Sequence, residues 1–380
     1  MSNDTIGKHK NIMKPRIIAI YLPQFHPIPE NDEWWGKGFT EWRNVVRAKP
    51  RFSEHYQPHI PADLGFYDLR VPEIMEEQAR MAREHGISGF CYYHYWFSGK
   101  LLLERPLEDM LKSRKPDFPF MICWANENWT RVWDGGEKKI LIEQKYSEED
   151  DIQHIKYLMK YFKDPRYIRV NNKPVISIYR SVLLPDIERT IRIWQTEAMK
   201  EGMELYICRF ESAVHGMGKD YLTDGIDASI DFEPFGCGFM EYHKYNKYER
   251  LAKKGINLLS RLIFGKNIFP KILSYEKYVH FQLKRNNPSY KRYPCVTPMW
   301  DNSARRKKNN YFAFHSSTPK LFGIWLKDTI NKFIPYSDDE NFIFINAWNE
   351  WAEGNHLEPC MKWGDKYLKE IKKLISLLKT

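Results

Sequence analysis

Several signatures of common chemistry are missing from these 380 residues. There is no Gly-x-x-x-x-Gly-Lys-Ser/Thr phosphate loop and no dinucleotide glycine fingerprint, which argues against a P-loop NTPase and a nicotinamide oxidoreductase. No His-Glu-x-x-His and no Cys-x-x-Cys occurs, so neither a zincin nor a Cys-based zinc site is indicated. No two aspartates stand two residues apart, so the Asp-x-Asp metal clip of many nucleotide-sugar transferases is absent. Chemistry without metal or cofactor is the expectation. No run reaches the ~20 apolar residues of a membrane span, and the polar first residues contain no apolar signal core. The six cysteines are scattered, and four lie in or beside strand-like runs, as packed thiols of a cytoplasmic protein would.

What the chain does have is aromatic side chains. They make up 15%, with 13 Trp, in a chain that is 43% hydrophobic and so can build a real core. Many stand beside Asn, Glu, His and Asp, a mixture suited to a wet groove that holds sugars. The net charge of +10 is concentrated. Residues 241–294 hold thirteen Lys/Arg against three Asp/Glu, which accounts for all of it and leaves the remainder balanced. A local basic segment on a neutral body points to a local anionic partner, not to a nucleic acid. Within it, Leu258, Leu259, Leu262, Ile263 and Phe264 interleave with Arg261 and Lys266, the pattern of a helix lying on a membrane surface.

Eight short β-branched or aromatic runs read as strands buried on both faces: 16–22, 87–95, 118–124, 174–179, 204–210, 226–232, 294–299 and 341–347. Helical stripes follow most of them, such as Met75/Ala79/Ala82 ended by Gly86, and Ile155/Leu158/Met159/Phe162 behind a Ser147/Asp150 cap. Strand–helix alternation repeated about eight times predicts an α/β fold, a (β/α)8 TIM-type barrel. A doubly wound sheet is the runner-up, but its glycine-rich first turn is missing. Residues 1–14 read as a disordered N-terminal tail and 15–380 as one barrel domain, with a basic insertion at about 241–294. Long loops after strands 1 and 6 would leave from the C-terminal face, where barrel enzymes keep their sites.

The leading candidates for catalysis are Glu350 and Glu353, in Asn346-Ala-Trp-Asn-Glu-Trp-Ala-Glu-Gly354 after the eighth strand. Three residues apart in a helical or tight turn, two carboxylates can lie about 5–6 Å apart on one side, near the spacing of retaining glycosidases. Like charges should raise one pKa and divide the pair into an acid and a base. Candidate substrate-binding residues are Tyr21 and His26 from the first strand end, Trp35 from the loop beyond, Tyr93 and His94 from the second strand, Trp124, Asn126, Glu127, Trp129 and Trp133 from the third, Trp300 from the seventh, and Asn349 and His356 around the pair itself. Asn and Glu together can grip a sugar diol, one donating and one accepting.

Three of these stretches, Tyr21-Leu-Pro-Gln-Phe-His26 through Trp42, Trp124-Ala-Asn-Glu-Asn-Trp129 and Asn346 to Gly354 with Leu357-Glu-Pro359, together with Asp164-Pro-Arg-Tyr167, resemble the WbsX-type group of bacterial surface-polysaccharide proteins. That group is related to glycoside hydrolase family 99, and the resemblance covers about residues 15–367. It implies a (β/α)8 barrel and retaining cleavage of α-mannosidic linkages. By that resemblance Glu350 is the base that takes the proton of the 2-hydroxyl, and Glu353 the acid that protonates the leaving oxygen. The basic insertion and Cys360 depart from the family pattern.

The expected function is thus a retaining glycoside hydrolase or transglycosylase on α-linked, mannose-type glycans in O-antigen or capsule metabolism. The alternative is a glycosyltransferase of lipopolysaccharide or capsule biosynthesis. A glycan-binding barrel without catalysis is a third reading, weakened by the presence of both carboxylates. The expected partners are a glycan, lipid-linked in the second reading, and an anionic membrane met through residues 241–294 in a protein peripheral to the inner membrane face.

Overall fold

The computed structural model describes residues 14–131, 136–213, 216–223, 225–245, 247–264, 271–306 and 310–378. The expected tail, Lys14 apart, lies outside them, as does Trp133. Eight parallel strands form the barrel: β1 (Arg16–Tyr21), β2 (Gly89–Phe97), β3 (Phe120–Trp124), β4 (Lys173–Ile178), β5 (Tyr206–Glu211), β6 (Ala228–Asp231), β7 (Arg292–Tyr293 and Cys295–Val296) and β8 (Phe342–Ile345). Pro294 splits β7 because proline brings no N–H to the ladder. Its first half pairs with β6 and its second with β8, and the Phe344 N–H donates to the Pro294 carbonyl at 2.8 Å. β1 pairs with β8, so the sheet closes on itself.

Each strand is buried along nearly its whole length, as a parallel sheet covered by helices requires. Outside it lie α1 (Pro29–Trp35), α2 (Trp42–Arg47), α3 (Pro72–Glu84), α4 (Arg105–Ser113), α5 (Glu148–Phe162), α6 (Ile187–Lys200), α7 (Cys237–Tyr245), α8 (Lys247–Phe264), α9 (Tyr275–Gln282), α10 (Pro319–Lys332) and α11 (Lys366–Leu377). The expected stripes face inward, with Met75, Ala79 and Ala82 of α3 and Ile155, Leu158 and Phe162 of α5 buried. Ser147 Oγ accepts from the Asp150 N–H at 3.1 Å and starts α5.

The regular alternation fails once. Among the described residues after β5 there is only a single 3₁₀ turn, Lys219–Tyr221. The two long connections are also not plain loops. The first holds α1 and α2, and the second holds α7, α8, α9 and the strand Lys271–Ser274, which pairs with Phe312–His315. All six cysteines are free thiols. Among the described residues no helix is long and apolar enough to cross a membrane.

Candidate active site

Side chains alternate across a strand, so each barrel strand sends every second residue into the barrel and the others toward the helices. At the C-terminal ends this rule decides which residues reach the cleft. Leu22, Tyr93, Tyr95, Ala125, Tyr179, Ser212, Phe232 and Asn346 line a cleft of about 760 Å³ at that end. Their neighbours one position back, Tyr21, His94 and Trp124, point the other way. The Tyr21 hydroxyl donates to Gln78 Oε1 of α3 at 2.6 Å. His94 meets His154 of α5 at 3.1 Å between ring nitrogens, and burial lowers its pKa to about 3. Trp124 packs on His154 and Trp194 of the helix layer. These three candidates therefore sit in the barrel wall and do not contact the cleft.

Four more candidates lie outside it. His26 is buried beyond β1, and burial lowers its pKa to about 4. His356 stacks on Trp351 at 3.8 Å and bonds to His59 at 2.9 Å. Asn126 and Asn349 are fully buried and hold backbone. Asn126 Oδ1 accepts from the Arg180 N–H at 2.7 Å while its Nδ2 donates to the Arg180 carbonyl at 2.9 Å. Asn349 does the same to Leu22, at 2.7 and 3.0 Å. A primary amide meets one residue's N–H and C=O in this way because it carries an acceptor and a donor side by side. Trp35, Glu127, Trp129 and Trp300 line the cleft with Tyr93.

Glu350 and Glu353 both line it too. Glu350 ends a two-residue ribbon paired with Asn355, and Trp351–Glu353 forms one 3₁₀ turn. Glu350 stands just before that turn and Glu353 ends it, and both carboxylates reach the same cleft. Gly354 ends the turn at φ +54°, where an added Cβ would meet Asp301 Cβ at 3.0 Å and the Asp301 carbonyl oxygen at 3.1 Å. A glycine is required there by both conformation and space. The Asp301 N–H donates to the Glu353 carbonyl at 2.6 Å, which ties the turn to the end of β7.

Arg305, which sequence reasoning did not single out, organises the pair. It lies on the 3₁₀ turn Asn302–Arg305, and its Nη2 is 2.9 Å from Glu350 Oε2 while its Nη1 is 2.9 Å from Glu353 Oε1. Its Nε is 3.1 Å from Glu41 Oε2, just before α2. One guanidinium thus faces three carboxylates. The turn is held by Asp301, whose carboxylate meets His55 Nε2 at 2.6 Å and Gln57 Nε2 at 2.7 Å. Burial pushes Glu350 up to about 8, helped by the charges of Glu353 and Glu41 and opposed by Arg305. Glu41 is raised by burial against the pull of Arg305. A second acid, Glu127, pairs with its own cation, Arg180, at 2.7 Å. The sequence signal for Arg305 was poor, because Arg305-Arg-Lys-Lys308 reads as a solvated basic loop. Glu41 lay inside a stretch of interest but far from the pair in sequence. Among the described residues no group of three or more His, Cys, Asp or Glu side chains is placed to hold a metal ion.

A parallel α/β barrel with clustered carboxylates in an aromatic-walled cleft is the build of a carbohydrate-active enzyme. Residues 17–371 match the family described as Glycosyltransferase WbsX, and the chain belongs to that family. Proteins described as "Uncharacterized protein WxcX" from two strains of Xanthomonas campestris pv. campestris are 39% identical over 354 residues, which cover 93% of this chain and 48% of theirs. The chain therefore spans about half the length of these relatives. The fold is similar to that of the GH99 endo-α-mannosidase from Bacteroides thetaiotaomicron, with a TM-score of 0.54 and 15% identity over 96% of this chain and 97% of that one. A structure described as a glycoside hydrolase-like protein gives 0.58 and 16% over 98% and 97%.

Proposed function

We propose that this protein is a retaining glycoside hydrolase or transglycosylase acting on α-linked, mannose-type glycans of a bacterial surface polysaccharide such as O-antigen or capsule. The observation that carries the proposal is the joint placement of Glu350 and Glu353 in one cleft wall, bound through different oxygens to a single guanidinium. In this reading a sugar ring lies over the pair among the tyrosine and tryptophan rings. Glu350 takes the proton of the 2-hydroxyl as that oxygen attacks its own anomeric carbon. The bond to the leaving oxygen breaks, and Glu353 gives that oxygen its proton. Glu353 then takes a proton from water or an acceptor hydroxyl, whose oxygen attacks the anomeric carbon and opens the small ring. Glu350 returns its proton to the 2-oxygen. Two displacements give overall retention. Glu350 accepts that proton in its ionised form, a stronger base than an ordinary carboxylate, whose share grows as pH approaches the raised value of about 8. Arg305 supplies the positive charge that keeps three acids together.

The description of the family as a glycosyltransferase supports a second reading, transfer from an activated or lipid-linked donor. One experiment separates the two. The protein is incubated with α-linked manno-oligosaccharides, and the anomeric signals are followed by proton NMR. Appearance of the α-anomer first is expected. A β-anomer first, or turnover only when a nucleotide-sugar or lipid-pyrophosphate donor is added, rejects the proposal, and the latter supports the transferase.

A further inference from the structure

Helix α8 turns the ordinary arrangement of a surface helix inside out. Leu251, Ile256, Leu258, Leu259, Leu262 and Ile263 are all exposed, Leu262 at 78% and Ile263 at 70%. At ~100° per residue these six fall in one arc of about 160°. Lys254, also exposed, falls outside that arc. Ser260 at 3% exposure and half-buried Asn257 mark the side that meets the protein. A helix packed on its own domain buries its apolar stripe and wets its polar one. This one rests on a polar edge and presents its apolar stripe to the surroundings.

What covers such a stripe is decided by charge. The helix carries five basic residues and one acidic one, inside a segment that holds the whole net charge of the chain. Two copies packed stripe to stripe would bring those like charges together. A bilayer containing acidic lipids does the reverse, because its interior takes the leucines while its headgroups attract the flanking lysines and arginines. The mounting of the helix also matters. In α7, which precedes it, Tyr242 packs on Tyr278 and Phe281 of α9, and Phe239 packs on Phe235 and Phe312. Phe235 is itself a wall of the cleft, edge-on to Trp300 at 4.9 Å. The stripe thus belongs to a unit built onto the rim of the candidate active site.

We propose that α8 is a membrane-surface anchor that inserts Leu258, Leu259, Leu262 and Ile263 into an anionic bilayer beside the cleft. The proposal stands whether or not the reaction assigned above is the right one. Its test is flotation of the full chain with phosphatidylcholine vesicles, with and without phosphatidylglycerol, at low and high salt. Binding to the anionic vesicles is expected, falling by about tenfold at high salt as screening sets in. Leu262→Glu with Ile263→Glu should lower binding at least about tenfold, because both side chains lose their place in the acyl boundary. Since both are exposed, the thermal midpoint of the double variant should match the wild type, which separates lost binding from lost folding. Lys254→Glu should weaken binding less. Wild-type protein left behind by anionic vesicles, or a double variant that floats like the wild type, overturns the proposal. So does a concentration-dependent dimer that the double substitution dissolves, since the stripe would then belong to a second copy.

Discussion

The dipeptide Asn-Glu occurs at the ends of two barrel strands, as Asn126-Glu127 after β3 and Asn349-Glu350 after β8. In both places the asparagine is fully buried and grips the backbone of a neighbouring strand end with its amide. In both, the glutamate turns into the cleft and meets an arginine. The difference lies in the charge balance. Glu127, 36% exposed at its side chain, has Arg180 as its own cation. Glu350 shares Arg305 with Glu41 and Glu353, so among the described ion pairs three acids meet one guanidinium. Burial raises Glu127 as well, against the pull of its own Arg180 and with a further push from Glu353. In the cluster burial raises both Glu350 and Glu41 against the pull of the shared Arg305, and carboxyls raised in this way are candidates for acid–base chemistry. The same two residues therefore stand in different charge settings, and under the proposed reaction only the Glu350 corner carries proton transfer.

The largest expected effect tests that division directly. Glu350→Gln and Glu353→Gln should each lower turnover by about 10³-fold, whereas Glu127→Gln should cost about tenfold. Initial rates alongside thermal midpoints check this, and an equal loss at Glu127 would erase the contrast. Next come the cations. Arg305→Met leaves three acids facing each other and should cost about 10²-fold more activity than Arg180→Met, which strands one.

The pH dependence comes third. With Glu350 raised to about 8, its proton-accepting form grows as pH climbs, so kcat/KM should rise through a limb near pH 8. A limb that falls there would exchange the roles of the two glutamates. Removing Arg305, which opposes the raised pKa, should move the limb to higher pH. The same group gives a stability signature. Between its ordinary value of 4.5 and about 8 the folded chain holds a proton that the unfolded chain has released. Stability from this group is therefore present below pH 4.5 and lost as pH rises toward 8, and Glu350→Gln should flatten that decline in melting curves.

The asparagines should respond alike, which is the shared half of the comparison. Asn126→Ala or Asn349→Ala leaves a buried N–H and C=O without partners and should cost about 2–4 kcal/mol in denaturant unfolding. The smallest effect belongs to His94→Gln, behind the barrel wall. It should change KM by less than about twofold while lowering stability by about 1–2 kcal/mol.

The barrel was legible because eight short apolar runs alternate with amphipathic stripes, and both patterns are local. The acid pair was legible because its members are three residues apart, which fixes their relation in any tight turn. Which residue of Tyr92-Tyr-His-Tyr-Trp96 faces the cleft was not legible. β2 is buried on both faces, so the polar–apolar alternation that would mark an inner side is missing, and Tyr95 went unnoticed while His94 was named. Of the helices inside the two long connections, α1, α2 and α7 were not legible because they span only six to nine residues, too short to show a period.

By itself the sequence determined the strand count, the place of the acid pair at the end of the eighth strand and the one-sided distribution of charge. These follow from hydropathy periods, spacing and counting, which need no distant partner. Only the tertiary structure decided that Glu41 and Arg305, separated by more than two hundred residues, meet beside the pair, and that Tyr95 and not His94 faces the cleft. Those outcomes depend on closure of the barrel, and such long-range contacts leave no periodic trace along the chain.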